Sequence, residues 1–468
     1  MAARTLRVFL GDARTIQTTP ARHSSTGSTA AQRLLGAVDV IAVLRLKRAL
    51  RWACAGLCAA VVLSYSAPPT LASAVRNGHL RARASALAAG SAHDRASLRF
   101  GSALRNGSVS PYAGRVGMSM SHDLVTLPTS QIQAEFAQLR AGGVSWARED
   151  LAWAIAEPKD GVYNWTPFDH LMTAASLAGV KVLGILDYSA PWASSDPSGR
   201  GNMFYPPKND ADFATYAAAV VARYGTNGSF WAQNPQLTRD PLAAVQVWGE
   251  PYGSWRWMPG PDPVAYAQLV RQTALAVHAA DPALQVLMAG DLNSWSEHGN
   301  PHSQPWLAQV LAADPSLPGL VNGLSVDPYP TPRNLGPYGS AVDPAQSFSE
   351  VPLVHQTEAQ AGVRLPIWIT EIGWSTAPDT QAAVSDATQA TFMRQAIQRG
   401  IGDWGSYVSK IFVFGWYRSS GVSGDWENNL GLLGPNGAPK PAWGAITQLL
   451  RGSGAATLQG CPSCPAAT

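Results

Sequence analysis

Cysteine is scarce in this sequence, and the central part of the chain has none. Of 468 residues only four are cysteines, namely Cys54, Cys58, Cys461 and Cys464. A fold built around disulfides is therefore excluded for the long stretch between them. In the C-terminal CPSC tail we expect a local disulfide between Cys461 and Cys464, with a redox pair or half of a metal site as the alternatives.

Charged residues are also few, and the signature loops of several enzyme classes are missing. Only 14% of the residues are charged while 46% are hydrophobic, which excludes an intrinsically disordered chain. No GxGxxG or GxxxxGKS/T segment follows a predicted strand, and no HExxH segment occurs. The sequence thus predicts neither a cofactor nor a metal ion.

The charge is divided unevenly along the chain. Residues 1–110 hold 15 Lys and Arg against 3 Asp and Glu, whereas residues 111–468 hold 19 against 28. The main body is therefore mildly acidic, and the basic balance belongs to the N-terminal segment. We expect no nucleic-acid partner.

The first 74 residues have the pattern of a leader with a secretory signal. A basic cluster at 45–51 precedes a 12-residue apolar run, Trp52–Leu63, and Leu71-Ala-Ser-Ala74 supplies small residues before a cleavage site. The run is shorter than the roughly 20 residues that a membrane-spanning helix needs, although an uncleaved anchor is an alternative. The long stretch before the basic cluster favours a start near Val38–Val43, with a genuinely long or transit-like leader as the alternative. Residues 75–110 lack apolar periodicity and are predicted to form a disordered linker.

Short apolar segments alternate with helical patterns over residues 111–452. Strand followed by helix, eight times, predicts a single (β/α)8 barrel of the α/β class, with 453–468 as a C-terminal tail. A doubly wound open sheet is the main structural alternative. The predicted strands are 115–120, 144–148, 181–187, 245–248, 285–289, 323–326, 366–370 and 410–414, and the predicted helices are 130–141, 167–178, 211–224, 263–280, 306–313, 350–361, 386–400 and 442–450.

The ends of the predicted strands carry many carboxylates and aromatic rings. In such a barrel the active site lies where the strands end, and acids mixed with rings suit a carbohydrate, because rings pack on C–H faces while carboxylates bind hydroxyls. Any single member has the plainer interpretation of a cap or an ion pair. The residues are His122, Asp123, Arg148, Glu149, Asp150, Asp187, Tyr188, Trp248, Glu250, Asp291, Asn293, Asp327, Tyr329, Glu371, Trp374, Trp416 and Tyr417.

Two strand ends resemble a known catalytic pair. The fourth ends Val245-Gln-Val-Trp-Gly-Glu250-Pro-Tyr and the seventh ends Ile367-Trp-Ile-Thr-Glu371-Ile-Gly-Trp. These motifs resemble the retaining glycoside hydrolases of the cellulase-like clan (clan A, family 5 or family 39 type). The segment Arg148-Glu-Asp-Leu-Ala-Trp153 with Glu157-Pro-Lys-Asp-Gly161-Val-Tyr-Asn-Trp165, and Asp187-Tyr-Ser-Ala-Pro-Trp192, extend the resemblance over most of residues 114–450.

The resemblance implies a role for each matching residue. Glu250 would be the general acid and base, Glu371 the nucleophile, Arg148 and Tyr329 hydrogen-bonding partners of the nucleophile, and Trp416 the platform under the sugar. Trp248, Asn293 and Trp374 are further candidates for substrate binding. Independently, two carboxylates about 5 to 5.5 Å apart can act as nucleophile and acid with net retention. Arg148 would favour ionised Glu371, whereas desolvation and the neighbouring charge would favour protonated Glu250.

The sequence departs from the family pattern at two positions. Gly249 stands where the family usually has an Asn that binds the sugar 2-hydroxyl, and Asp327 stands in place of a common His. The first departure leaves rate and substrate open, since the gap could hold a substituent of the substrate. Asn293, Trp255 or Trp257 are possible replacements, with loop packing as the alternative for each.

We therefore expect an exported, retaining β-glycosidase that cleaves O-glycosidic bonds of an oligo- or polysaccharide by double displacement. A transglycosylase with the same two glutamates, a carbohydrate-binding barrel without turnover, and a surface structural protein are the alternatives. The expected partner is a carbohydrate substrate, and we expect a monomer without stable membrane insertion once the signal is removed.

Overall fold

Eight parallel strands form a closed barrel at the centre of the structure. The computed structural model describes residues 110–120, 124–292 and 305–451. Each strand pairs with the next in chain order, and β8 pairs with β1 to close the barrel. The strands are β1 Val116–Met120, β2 Trp146–Asp150, β3 Lys181–Leu186, β4 Ala244–Val247, β5 Gln285–Ala289, β6 Gly323–Val326, β7 Ile367–Ile369 and β8 Val408–Trp416.

Helices between the strands form the outer layer. Asp262 and Asn209 cap the helices that follow them through their side chains, as expected where backbone N–H groups at a helix start have no partner of their own. The helices are α1 Thr129–Ala141, α2 Trp153–Ala156, α3 Thr166–Ala178, α4 Asp210–Tyr224, α5 Ser229–Gln233, α6 Pro263–Ala280, α7 Trp306–Ala313, α8 Glu350–Gln360, α9 Asp386–Ile397 and α10 Pro441–Arg451.

The barrel interior is apolar at one end and polar at the other. Six strands contribute a buried cluster in which the rings of Trp146 and Trp368 lie 5.3 Å apart, and Lys410 lies over both rings. Two residues further along β2 and β4, the interior positions become Arg148 and Gln246. Alternation along a strand therefore places the polar interior residues at the C-terminal mouth.

The predicted (β/α)8 barrel is confirmed, and the open sheet is not formed. The strand predictions differ from the structure by two residues or fewer at every end. The predicted helix 386–400 becomes α9 followed by a π-helical turn, Gln398–Asp403. No helix among the described residues is both long and apolar enough to cross a membrane. The predicted leader, linker and CPSC tail, together with His122, Asp123 and Asn293, lie outside the described residues.

Candidate active site

The two glutamates singled out in the sequence both lie just beyond the C-terminal ends of barrel strands. Glu371 is the second residue after β7, and Glu250 is the third residue after β4. Trp248 and Glu250 have φ angles of 64° and 47°, the left-handed region that residues with a side chain rarely occupy. Such a backbone is retained where the surrounding structure enforces it, and it is common at active sites.

Glu371 is held by two donors from neighbouring strands. The Arg148 guanidinium lies 2.5 Å from one carboxylate oxygen, and the Tyr329 hydroxyl donates to the other at 3.3 Å. Burial and the charge of Glu371 raise the pKa of Tyr329 well above its ordinary value, so the phenol keeps its proton. With one donor on each oxygen, the carboxylate has a fixed orientation at the barrel mouth.

Arg148 is itself fixed inside the barrel. It is 4% exposed, its Nε donates to Gln246 at 3.1 Å, and its Nη1 also donates to Ser119 at 3.2 Å. Burial alone lowers its pKa, but Glu371 and Asp327 outweigh that effect and raise the pKa above the ordinary value. Arg148 is thus a permanent, positioned cation beside Glu371, as the sequence predicts.

Glu250 is held by three groups of the loop that follows it. Tyr252 donates to Oε1 at 3.2 Å, Trp255 donates through Nε1 to Oε2 at 3.0 Å, and the Nε of Arg256 lies 3.6 Å from Oε2. The Arg256 side chain is 34% exposed and the Glu250 side chain 23%. The sequence did not predict this cation. It predicted a charged partner for Glu371 and a desolvated, apolar environment for Glu250, whereas in the structure each glutamate has its own guanidinium.

Arg256 lies over a wall of aromatic rings. Its guanidinium is 5.1 Å from the ring centre of Phe204 and 5.9 Å from that of Tyr188. Burial alone lowers the pKa of Arg256, but the neighbouring Tyr188 and Glu250 raise it by more. Its pKa therefore lies above the ordinary arginine value. The group therefore remains a cation on the Glu250 side of the mouth.

The space beside Gly249 is filled by the chain itself. A Cβ atom on Gly249 would lie 2.6 Å from the Tyr188 hydroxyl oxygen. The Tyr188 ring packs edge-on against Trp248 and Phe204, at centroid distances of 5.1 and 5.0 Å. The position where the family usually has an Asn side chain is therefore closed by Tyr188.

The remaining carboxyl groups at the strand ends are buried. Asp291 accepts from the backbone N–H of Asp327, and Asp327 accepts from Thr370, at 2.8 and 2.6 Å, so these acids tie the ends of β5, β6 and β7 together. Burial raises the pKa of Asp187, Asp291 and Asp327 well above the ordinary value, and neighbouring carboxylates add to the effect. Asp291 and Asp327 therefore have a structural role, since their carboxyl groups bind neighbouring strand ends. No group of three His, Cys, Asp or Glu side chains in the described part of the chain is arranged to hold a metal ion.

Three of the predicted sugar-binding tryptophans are buried. Trp248 and Trp374 are 0% exposed, and their N–H groups donate to backbone oxygens of Arg256 and Leu335. Trp416 is 2% exposed, donates to Glu135 of α1 at 2.5 Å and packs against Trp443 of α10.

The expected platform under the sugar is therefore corrected. Trp416 packs into the helical layer, whereas Phe414, two residues earlier, lines the mouth with Arg148 and Glu371. The structure thus brings together four of the predicted site residues, Glu250, Glu371, Arg148 and Tyr329, and Asn293 lies outside the described residues.

The loops after β2 and β3, whose motifs resemble those of the glycoside hydrolases, are hydrogen-bonded to each other. Glu157, 4% exposed, accepts from the indole N–H of Trp153 at 2.7 Å and from the backbone N–H of Gly161 at 2.8 Å. The indole N–H of Trp192 donates to the backbone oxygen of Glu157 at 3.0 Å. These motif residues stabilise the loops that frame the mouth.

Tyr252, Arg256 and Phe414 are site residues that the sequence analysis did not assign. Tyr252 and Arg256 follow Glu250 by two and six residues, so their closeness in sequence was the available signal. Phe414 had only its place near the end of the predicted eighth strand, and a lone aromatic residue there is common in a barrel core.

Comparisons with known proteins agree with the barrel fold. A family model described as the glycosyl hydrolase catalytic core matches residues 346–444, which include β7, Glu371 and β8. A search of curated proteins found no match.

Solved structures of glycoside hydrolases are similar in fold. A family 39 glycoside hydrolase from the gut symbiont Bacteroides cellulosilyticus WH2 has 21% identity and a TM-score of 0.53, over 72% of this chain and 63% of that chain. GH5_18 from Streptomyces cattleya, in complex with GlcNAc, has 18% identity and a TM-score of 0.52, over 72% and 79%. GH5_18 from Bifidobacterium longum subsp. infantis has 15% identity and a TM-score of 0.51, over 72% and 78%. This chain thus spans less than two thirds of the family 39 structure. The resemblance to (β/α)8 glycoside hydrolases of the family 39 and family 5 type is confirmed.

Proposed function

We propose that this protein is a retaining β-glycosidase that uses Glu371 as nucleophile and Glu250 as general acid and base. The observation that carries the proposal is the pair of glutamates beyond β4 and β7, each with its own guanidinium and phenol donors, at the mouth of a glycoside hydrolase barrel. Retaining glycosidases typically use two carboxyl groups that flank the glycosidic bond, one as nucleophile and one as acid and base.

In the first step a carboxylate oxygen of Glu371 forms a bond to the anomeric carbon while the bond to the leaving oxygen breaks. Glu250 gives its proton to that oxygen, so the leaving group departs as an alcohol. Arg148 and Tyr329 hold the carboxylate of Glu371, which lowers the entropic cost of aligning it with the carbon. The product is a glycosyl ester on Glu371.

In the second step water replaces the leaving group. Glu250, now a carboxylate, takes a proton from the water while the water oxygen bonds to the anomeric carbon and the ester bond to Glu371 breaks. Two inversions at the same carbon give net retention. Tyr252 and Trp255 donate to the two oxygens of Glu250 and so hold this carboxyl group at the mouth for both proton transfers.

The test is activity on a panel of 4-nitrophenyl β-glycosides and on soluble β-glucans, xylans and mannans, with the first anomer formed followed by proton NMR. Initial release of the β anomer supports the proposal. Initial release of the α anomer contradicts the retaining mechanism. Binding without any turnover favours a carbohydrate-binding barrel, and products longer than the substrate favour a transglycosylase.

We also propose that the protein is exported. The support is the sequence pattern alone, a basic cluster at 45–51 followed by Trp52–Leu63 and a small-residue cleavage motif ending at Ala74. N-terminal sequencing of protein recovered from the medium should begin near Val75. Retention of the whole protein inside the cell would contradict export.

A further inference from the structure

One tryptophan at the mouth differs from the others in its exposure. Trp255 is 47% exposed, whereas Trp248, Trp374 and Trp416 are at most 2% exposed. Its indole N–H donates to Oε2 of Glu250 at 3.0 Å. A large apolar ring is thus left in solvent while its polar edge is fixed to the proposed acid.

The short loop after Glu250 fixes the indole in this place. The backbone N–H of Gly253 donates to the Glu250 carbonyl at 3.1 Å and closes a tight turn. A Cβ atom on Gly253 would lie 2.4 Å from two atoms of the Trp255 ring, so the indole lies directly against this glycine. The Tyr252 ring packs edge-on against Trp255 at 6.3 Å. The exposed surface of the ring is therefore a preformed feature of the loop.

The chemistry of Glu250 determines what this surface meets. A general acid must lie within about 2.6 to 3.2 Å of the leaving oxygen that it protonates. Trp255 is bonded to the same carboxylate, so the atoms attached to that oxygen lie beside the indole. An exposed indole face packs well on the C–H face of a pyranose ring.

We propose that Trp255 forms the subsite for the leaving group, and that the leaving group is a sugar that packs its apolar face on the indole. The inference rests on the proposed role of Glu250 and adds to it the substrate class: a glycan with a sugar on both sides of the cleaved bond. Trp255 is then a substrate-binding residue, and its N–H bond to Glu250 is a separate, orienting contact.

Two variants separate these contacts. Trp255→Phe keeps an aromatic face and loses the N–H, whereas Trp255→Gln keeps an N–H donor and loses the face. Each is assayed on a β-linked disaccharide and on the β-glycosyl fluoride of the same glycone, taken from those that the unmodified protein cleaves. The fluoride leaving group departs without a proton from Glu250 and carries no second sugar. The rate of cleavage of the glycosyl fluoride therefore depends only on contacts with the glycone.

We expect Trp255→Gln to lose about tenfold or more in kcat/KM on the disaccharide, equivalent to about 1.4 kcal/mol, and to change little on the fluoride. Trp255→Phe should retain more disaccharide activity than Trp255→Gln. As a second measurement, free sugar added as an acceptor should give a transfer product with the unmodified protein and much less with Trp255→Gln. Melting temperatures of all three proteins verify folding.

Equal losses on both substrates, with acceptor transfer unchanged, would overturn the subsite while leaving the proposed function intact. A larger loss for Trp255→Phe than for Trp255→Gln on the disaccharide would also overturn it, because the N–H alone would then matter. If the unmodified protein cleaves β-glycosyl fluorides but no β-linked disaccharide, the subsite is overturned and the proposed function stands. If it cleaves no β-glycoside of either kind, the proposed function fails and the subsite fails with it.

Discussion

The Tyr188 hydroxyl oxygen lies 2.6 Å from the point that a Cβ atom on Gly249 would occupy. The glycine before Glu250 is thus explained by the chain's own packing, since the end of β3 supplies a ring that takes up the space. The sequence left open whether a substituent of the substrate fills this gap. In the structure the ring and hydroxyl of Tyr188 occupy this space.

Gly249→Ala should destabilise the protein by about 1 to 3 kcal/mol, the usual cost of overpacking. Tyr188 cannot easily move away, because Trp248 and Phe204 hold its ring at 5.1 and 5.0 Å. Removing only the oxygen leaves Cζ as the nearest Tyr188 atom, at 3.4 Å, which is ordinary contact. In a Tyr188→Phe background the same Gly249→Ala change should therefore cost much less.

Thermal melts of the two single variants, the double variant and the unmodified protein measure this coupling. Gly444→Ala on α10 is the control, because a Cβ atom there has nothing within 4 Å. Equal costs of Gly249→Ala in both backgrounds would show that the hydroxyl is not the obstacle.

The barrel and the position of the two glutamates could be predicted because both follow from simple periodicity. Apolar segments of strand length alternate with helical patterns, and a parallel barrel brings every strand end to one mouth. Glu250 and Glu371 directly follow such segments, so their approach to a common mouth requires only the topology.

The directions of the aromatic side chains could not be predicted in the same way. Along β8, Phe412 lies in the barrel interior and Phe414 lines the mouth, so alternation would point Trp416 inward too. However, the pairing of β8 with β1 shifts register between Ser119 and Met120, where one extra residue, Gly415, is inserted. The alternation is broken there, and Trp416 points outward to Glu135 and Trp443.

Glu371→Gln should lower kcat/KM by about 10³-fold or more on every substrate, because the amide cannot attack the anomeric carbon. The fold should persist, since Gln has the same shape and can still accept from Arg148 and Tyr329. Steady-state kinetics and a melting curve check both parts. Asp403→Asn, at an exposed position before β8 and so at the opposite end of the barrel from the mouth, is the control and should keep full activity. Substantial residual turnover in Glu371→Gln would remove Glu371 from the nucleophile role.

Glu250→Ala should slow substrates with poor leaving groups by about 10²- to 10⁴-fold and activated aryl glycosides far less. Azide should then restore turnover of the aryl glycosides and give a β-glycosyl azide, because the vacated space lies beside the Arg256 cation. In Glu250→Gln the amide fills that space, so azide should have little effect. Equal losses on all substrates, with no azide product, would assign Glu250 another role.

The stability of the fold should fall with rising pH because of Asp187. This carboxyl group is 2% exposed, and burial, then the charge of Asp150, raises its pKa well above the ordinary value, although Arg148 and Arg256 oppose the shift. The folded protein therefore holds this proton more tightly than the unfolded chain. From about pH 4, the ordinary Asp value, up to the raised pKa, the unfolded chain binds fewer protons, and stability declines as pH rises.

Asp187→Asn should remove this decline, because the amide resembles the protonated acid and does not titrate. We expect the variant to match the unmodified protein near pH 4 and to melt at least about 1 to 2 °C higher near pH 8, the shift that about 1 kcal/mol produces in a domain as large as this barrel. Asp160→Asn, at an exposed loop position, is the control and should change neither value. Since both variants remove one negative charge, a similar gain in Asp160→Asn would mean that net charge, rather than the buried carboxyl group, sets the slope.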